Sequence, residues 1–207
     1  MSNAILLADD HPLFRQAMAL AVQRVAPDAR IVEAGTLTAA ARIVADEAAL
    51  QLVLLDLKMP GAVGYSGIAL LHAERPDVPI LVVSSAEGAS AAEEVRAFGA
   101  IGFLRKDSDL ATIETAIQRA LAGTSVAASS DQPIDLVRRE VAGLTPMQLK
   151  VLIAVLDGQL NKQIAHSLSI SEATVKAHMT AIMRKLDVRS RTQAALVARS
   201  LGLDLAH

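Results

Sequence analysis

Asp9, Asp10 and Asp56 are the residues whose types and placement could do chemistry in this chain. Asp9-Asp10 follows the apolar run Ala4-Ile5-Leu6-Leu7-Ala8, and Asp56 closes a second run, Leu52-Val53-Leu54-Leu55. Continuous apolar runs of this length read as strands buried in a parallel sheet. Ligands of open parallel sheets gather beyond the carboxyl ends of the strands, so the three carboxylates are expected at one edge. That much like charge calls for a hard cation with oxygen ligands, Mg2+ above all. Acidic residues also end strands and cap loops without any ligand. Here Ser84 ends a fourth apolar strand and Lys106 follows a fifth, adding a hydroxyl donor and a fixed ammonium that suit a phosphoryl group. Asp56 is then the natural nucleophile, able to form an acyl phosphate while a metal neutralises the incoming oxygens.

The elements that must position these residues alternate. Strands are expected at Ala4–Ala8, Arg30–Ala34, Leu52–Asp56, Pro79–Ser84 and Gly102–Arg105. Helical patterns lie between them at Pro12–Val25, Thr38–Glu47, Gly67–Glu74, Ala89–Phe98 and Ser108–Ala122. Phe14, Met18, Val22 and Val25 recur at helical spacing in the first helix, with Pro12 in its opening turn. Ser108 is the expected cap of the last, whose face is Leu110, Ile113, Ile117 and Leu121. Five βα units of this kind imply a doubly wound parallel α/β sheet with helices on both faces.

Residues 123–132, small and polar, followed by Pro133, read as a linker, with a short helix conceivable over Ile134–Val141. After Gly143 the pattern is wholly helical. The 207 residues suit one large domain or two small ones, and 52% of them are hydrophobic but only 2% aromatic, so packing rests on aliphatic side chains and alanine. Cysteine is absent, which excludes disulfides and thiolate metal sites. No apolar stretch reaches membrane-spanning length and no signal pattern opens the chain, so a cytoplasmic protein is expected. Residues 1–122 carry 10 Lys+Arg against 15 Asp+Glu, a net of -5, whereas residues 123–207 carry 10 against 7, a net of +3. The basic second half is the one suited to a polyanion.

In that second half Thr145 is expected to cap a helix opened by Pro146 and ended by Gly158. Asn161 is expected to cap Lys162–Leu168, and Ser171 a third helix in which Ile170 staples onto Val175. A fourth starts after Ser190 and stops at Gly202. On the third helix Val175, Met179, Ile182 and Leu186 form one face, while Ala173, Ala177, Thr180 and Arg184 lie opposite, flanked by Lys176, His178 and Lys185. Small residues between basic flanks would let a helix sit deep in a major groove while cations meet phosphates. An ordinary solvated face remains the competing reading.

Other motifs fail on spacing. Gly61, Gly64 and Gly67 do not form a dinucleotide fingerprint, and Gly64-Tyr65-Ser66-Gly67 is one residue short of a nucleophile elbow. The histidines are dispersed, and His11 is assigned to shaping its loop.

Asp9-Asp10, Asp56 within Asp-Leu-Lys-Met-Pro-Gly, Ser84, and the segment Gly99-Ala100-Ile101-Gly102-Phe103-Leu104-Arg105-Lys106 resemble a bacterial response-regulator receiver domain over about the first 122 residues. The resemblance implies a flavodoxin-like receiver in which Asp56 accepts phosphate from a sensor histidine kinase. It implies Mg2+ bound by Asp10, by Asp9 through water, by Asp56 and by the carbonyl of Lys58. Lys106 would grip the phosphoryl oxygens, and Ser84 with Phe103 would form the switch pair. Departures are Lys58, whose charge is expected to alter phosphoryl lifetime, and Asp107, which stands where proline commonly gives a cis peptide.

Leu144-Thr145-Pro146-Met147-Gln148-Leu149, Asn161-Lys162-Gln163-Ile164-Ala165, Ile170 to His178, and Ser190-Arg191-Thr192-Gln193-Ala194 resemble a LuxR-type helix-turn-helix domain over residues 143–201. That implies a recognition helix at Glu172–Leu186 for double-stranded promoter DNA. Lys176, Ala177 and Thr180 would approach base edges, with Thr174, His178, Lys185 and Arg191 at the backbone and Arg184 on the same outward face. The fourth helix would form a dimer contact. Gln148 replaces a glutamate that commonly pairs with an arginine such as Arg191, which implies a weaker contact there.

Together the two halves resemble a NarL/FixJ-type response regulator: a receiver at 1–122, a linker at 123–142 and a smaller all-α DNA-binding domain at 143–207. Such a protein is not an enzyme beyond handling its own phosphoryl group, is a homodimer when active and does not engage a membrane. Two other classes stay open. One is a metal-dependent phosphohydrolase, which ordinarily needs a second carboxylate where Lys58 stands. The other is a constitutive DNA-binding protein whose first domain only dimerises.

Overall fold

A computed structural model describes residues 3–62, 64–85, 91–123, 141, 143–200 and 203. Its first half is a five-stranded, all-parallel sheet in the order β2-β1-β3-β4-β5. The strands are β1 (Ala4–Ala8), β2 (Arg30–Ala34), β3 (Leu50–Leu55), β4 (Ile80–Ser84) and β5 (Gly102–Arg105). The helices are α1 (Pro12–Val25), α2 (Leu37–Asp46), α3 (Ser66–Glu74), α4 (Ala91–Ala97) and α5 (Leu110–Leu121). The sheet is doubly wound, as the alternating pattern predicts. Ile5 and Leu7 of β1 pack with Met18 of α1 and with Ile113 and Ile117 of α5. Leu6 and Ala8 face the other way, toward Leu37, Ile68, Leu71 and Phe98. Alternation along each strand thus feeds two apolar layers. Truncating a fully buried anchor such as Phe98 to alanine would cost about 3–5 kcal/mol.

The strand order reverses direction at β1, so the crevice between the ends of β1 and β3 is the switch point of the sheet. Ala8 pairs with Leu55. The Asp56 amide then donates to the Ala8 carbonyl at 2.8 Å, which extends the ladder past the last strand residue and sets Asp56 level with Asp9.

Several boundaries differ from those expected. β3 starts two residues earlier, at Leu50, and Asp56 lies just beyond it. Asp109, not Ser108, caps α5 by accepting from the Thr112 amide at 2.7 Å. Asp109 precedes the first helical residue and is the one placed to reach that amide. The buried face of α5 is Ile113, Ile117 and Ala120, while Leu110, its first residue, is 38% exposed. α4 ends at Ala97, one residue before the expected Phe98, and its expected start at Ala89 lies within residues 86–90, outside the described residues. Apart from Gly123 and Val141, so does the linker with its conceivable helix. Among the described residues no peptide is cis, and Asp107 instead pairs with Arg105 at 2.6 Å.

The second half is helical: α6 (Pro146–Leu156), α7 (Asn161–Ser167), α8 (Glu172–Lys185) and α9 (Arg191–Ser200). Thr145 caps α6 in a reciprocal box, its hydroxyl accepting from the Gln148 amide and the Gln148 side chain accepting from the Thr145 amide. Ser171 caps α8 through the Thr174 amide at 3.0 Å. Helix α7 begins at Asn161 itself, so Asn161 does not cap it. The Gln163 side chain instead accepts from the Leu160 amide at 2.7 Å. The two halves touch where α6 packs on α3. Lys150 of α6 lies 3.9 Å from Glu74 at the end of α3, beside a cleft floored by Ala41, Leu70, Met147 and Ile153.

Candidate functional site

The three carboxylates do converge. Asp9, Asp10, Asp56 and also His11 each offer one ligand atom within 4.8 Å of the others. Asp56 is 2% exposed and Asp9 5%, whereas Asp10 is half-buried and His11 exposed. Lys106 reaches in from the end of β5. Its Nζ donates to Asp56 Oδ2 at 2.8 Å and forms an ion pair with Asp9 Oδ2 at 2.6 Å. Burial opposes the lysine's charge, but the hydrogen bonds and charges of Asp56 and Asp9 outweigh it and hold the ammonium above the usual lysine range. The Phe14 ring supports the same ammonium, with its centroid 4.6 Å from Nζ.

Backbone amides complete the pocket. Asp9 Oδ1 accepts from the His11 amide at 2.7 Å, and Asp56 Oδ1 accepts from the Lys58 amide at 3.2 Å. The second bond curls the chain after Asp56 back on the acceptor. Arg15 donates to the Asp9 carbonyl at 2.7 Å and to Glu33 at 2.6 Å, which ties the β1–α1 turn to β2. Ser84 is fully buried at the end of β4, and its carbonyl accepts from the Lys106 amide at 3.0 Å, which sets β4 and β5 in register at the site. Phe103 of β5 is half-buried.

The donor set fits a divalent cation. Asp9 Oδ2 and Asp10 Oδ1 are buried, the first meeting the Lys106 ammonium at 2.6 Å and the second His11 Nδ1 at 2.7 Å. One ammonium faces three carboxylates, and oxygen-rich sites of this kind select hard ions. His11, expected only to shape its loop, places its Nδ1 2.7 Å from Asp10 Oδ1 and 3.3 Å from Asp9 Oδ1. Phe14 and Arg15 join the site without any signal in residue type or spacing. Helical spacing places Phe14 on a core face and says nothing of the ammonium above it.

The second candidate surface lies on α8. Val175, Met179, Ile182 and Leu186 are buried as expected, which turns Ala173, Thr174, Lys176, Ala177, Thr180 and Arg184 outward and exposed. His178 is half-buried. Lys185 donates to the Gly143 carbonyl at 2.7 Å and to Gln148 at 3.0 Å. Gln148 therefore pairs with Lys185, not with Arg191. Arg191 donates to Asn161 Oδ1 at 2.7 Å and to the Gln159 carbonyl, so its guanidinium clamps the start of α9 to the α6–α7 turn.

Comparison with known proteins decides the family. The response regulator receiver domain matches residues 5–118, and the luxR family of bacterial regulatory proteins matches residues 142–198. The chain belongs to the LuxR-type response regulators. The glycerol metabolism activator of Pseudomonas putida is 36% identical to it over 212 residues, covering 94% of each chain. The nitrate/nitrite response regulator protein NarP of Escherichia coli K12 is 33% identical over 202 residues, covering 93% of each. Among solved structures, a LuxR-family two-component response regulator from Aurantimonas sp. SI85-9A1 aligns with a TM-score of 0.54 at 28% identity, covering 60% of this chain and 89% of that one. As a LuxR-type response regulator, the chain is a transcriptional regulator built from a receiver and a DNA-binding module. Among its described residues no helix is long and apolar enough to cross a membrane.

Proposed function

We propose that this response regulator, acting in the cytoplasm, takes a phosphoryl group on Asp56 from a sensor histidine kinase and thereby controls its binding to double-stranded promoter DNA. The working units are residues 1–122, a linker at 123–142 and residues 143–207. The observation that carries the reading is Lys106 Nζ between the buried carboxylates of Asp56 and Asp9, at the switch point of the sheet. In transfer, an Asp56 oxygen attacks phosphorus, the phosphorus–nitrogen bond of the donor histidine breaks, and the imidazole keeps the electron pair. Mg2+ held by Asp9, Asp10, Asp56 and the Lys58 carbonyl would supply charge neutralisation for the phosphoryl oxygens. Lys106 changes partner from Asp56 to a phosphoryl oxygen, so its charge never loses a counterpart. Ser84 then donates toward the phosphoryl group and Phe103 turns inward, altering the outer face of β5.

Lys176, Ala177 and Thr180 are proposed to meet base edges, with Thr174, His178 and Arg184 at the backbone. Lys185 and Arg191 are spent on bonds within the module, so their proposed part is to hold α8 and α9 in place as well as to flank DNA. Because the outward face of α8 is exposed while α6 rests on α3, pairing of two chains is favoured over unmasking as the step that phosphorylation promotes. The test is capture of genomic DNA fragments by the full chain with and without a phosphoryl donor and Mg2+, with Asp56→Ala as control. Enrichment of discrete fragments only on phosphorylation of the wild type supports the reading. Identical capture in all arms overturns it in favour of a constitutive DNA-binding protein.

A further inference from the structure

Tyr65 is the only tyrosine of the chain, which has no tryptophan. It sits between the acceptor strand β3 and α3, as the residue preceding the first turn of α3. Its ring stacks on Phe98, with centroids 5.4 Å apart and planes at 21°. Its hydroxyl donates to Glu94 Oε2 at 2.5 Å across 29 residues of sequence. Glu94 lies within α4 and Phe98 directly follows it, so one side chain of the acceptor loop holds α4 at two points a helical turn apart. Phe98 is fully buried, which seats the ring. The phenol–carboxylate bond is the adjustable part, charge-assisted and only partly buried. Ser84 ends the strand that leads into α4, so α4 is connected to the acceptor both through β4 and through Tyr65.

We infer that Tyr65 is a positioning residue: its bond to Glu94 clasps α4 to the acceptor loop in the resting protein and opens when Asp56 carries a phosphoryl group. This rests on reading Asp56 as the phosphoacceptor. A charge-assisted hydrogen bond present in only one of two states biases their ratio by about tenfold. By reciprocity, whatever weakens the clasp must tighten binding at Asp56 by the same factor.

The probe is beryllofluoride with Mg2+ on the full chain, a phosphoryl mimic that needs no known operator. A phenol bonded to a carboxylate loses emission by passing its proton in the excited state, so the fluorescence of this lone tyrosine reads the clasp directly. We expect emission to rise as beryllofluoride saturates. Tyr65→Phe keeps the stacked ring and should bind beryllofluoride about tenfold more tightly by fluorine NMR titration. Glu94→Gln should shift affinity in the same direction. A merely structural loss would leave the affinity unchanged or weaken it. Unchanged emission while the bound-fluoride signal is present overturns the clasp and leaves the acceptor reading intact, as does unaltered affinity in both variants. Absence of any bound-fluoride signal in the wild type overturns the acceptor reading itself, and the clasp with it.

Discussion

Lys106 Nζ stands 2.8 Å from Asp56 Oδ2, so the ammonium already bonds the oxygen proposed to attack. The same ammonium is the nearest compensation for Asp9. Lys106→Met leaves two nearly buried carboxylates without a cation and should lower stability by about 3–5 kcal/mol at neutral pH in metal-free buffer. Mg2+ should return much of that loss in a thermal melt. Because the folded lysine is held above its ordinary value, its contribution is complete below the unfolded value of about 10.4 and fades only as pH rises through the higher folded one. The melting gap between wild type and variant should therefore persist from neutral to mildly alkaline pH.

Gly99 adopts φ +100, and a Cβ there would fall 2.4 Å from Cγ of His72. Gly99→Ala combines left-handed strain with overpacking, together about 2–5 kcal/mol. In the double variant with His72→Ala the steric part should be recovered and the strain should stay. Additive losses in a double-mutant cycle would contradict this contact.

His72 also predicts an acid response. Desolvation by burial holds its imidazole below the usual range, so the unfolded chain takes up the proton first. Its contribution is complete above the unfolded value of about 6.5 and is lost as pH falls toward the lowered folded value. The wild-type melting temperature should drop on acidification through this window more steeply than that of His72→Asn.

Much of this architecture is legible in residue order, and the exceptions have physical causes. Helix α1 spans Pro12–Val25 as expected because Pro12 suits the opening turn and Pro27 follows the end. The convergence of Asp9, Asp10 and Asp56 follows from strand ends in a parallel sheet. Local ambiguity explains the cap of α5, since Ser108 and Asp109 are both good acceptors and only the backbone path chooses. Asn161 is drawn to Arg191, 30 residues away, and Lys185 to Gln148, 37 away. Tyr65 and Glu94 meet for the same kind of reason. No periodicity reports pairs made by tertiary folding.

Arg191 illustrates the consequence for mutagenesis. Its two donors hold Asn161 and the Gln159 carbonyl, so Arg191→Ala should destabilise the DNA-binding module by about 1–3 kcal/mol. Arg191→Lys should rescue little, since an ammonium lacks the planar fork. Denaturation of the module in the absence of DNA separates this from a pure phosphate contact, which would leave stability unchanged.

Lys58 is exposed while its amide holds Asp56 Oδ1. Lys58→Ala removes a cation beside the acceptor and should change the rate of dephosphorylation without altering the fold. Equal decay of phosphorylated wild type and variant would count against any such influence.

The seam where α6 leans on α3 is held by side-chain packing and by a Lys150–Glu74 pair too long and too wet to contribute more than about 1 kcal/mol. Both partners sit on one chain, so the contact forms without a second molecule. With so weak an ion pair, the union of α6 and α3 rests on the fit of their side chains and should be insensitive to added salt.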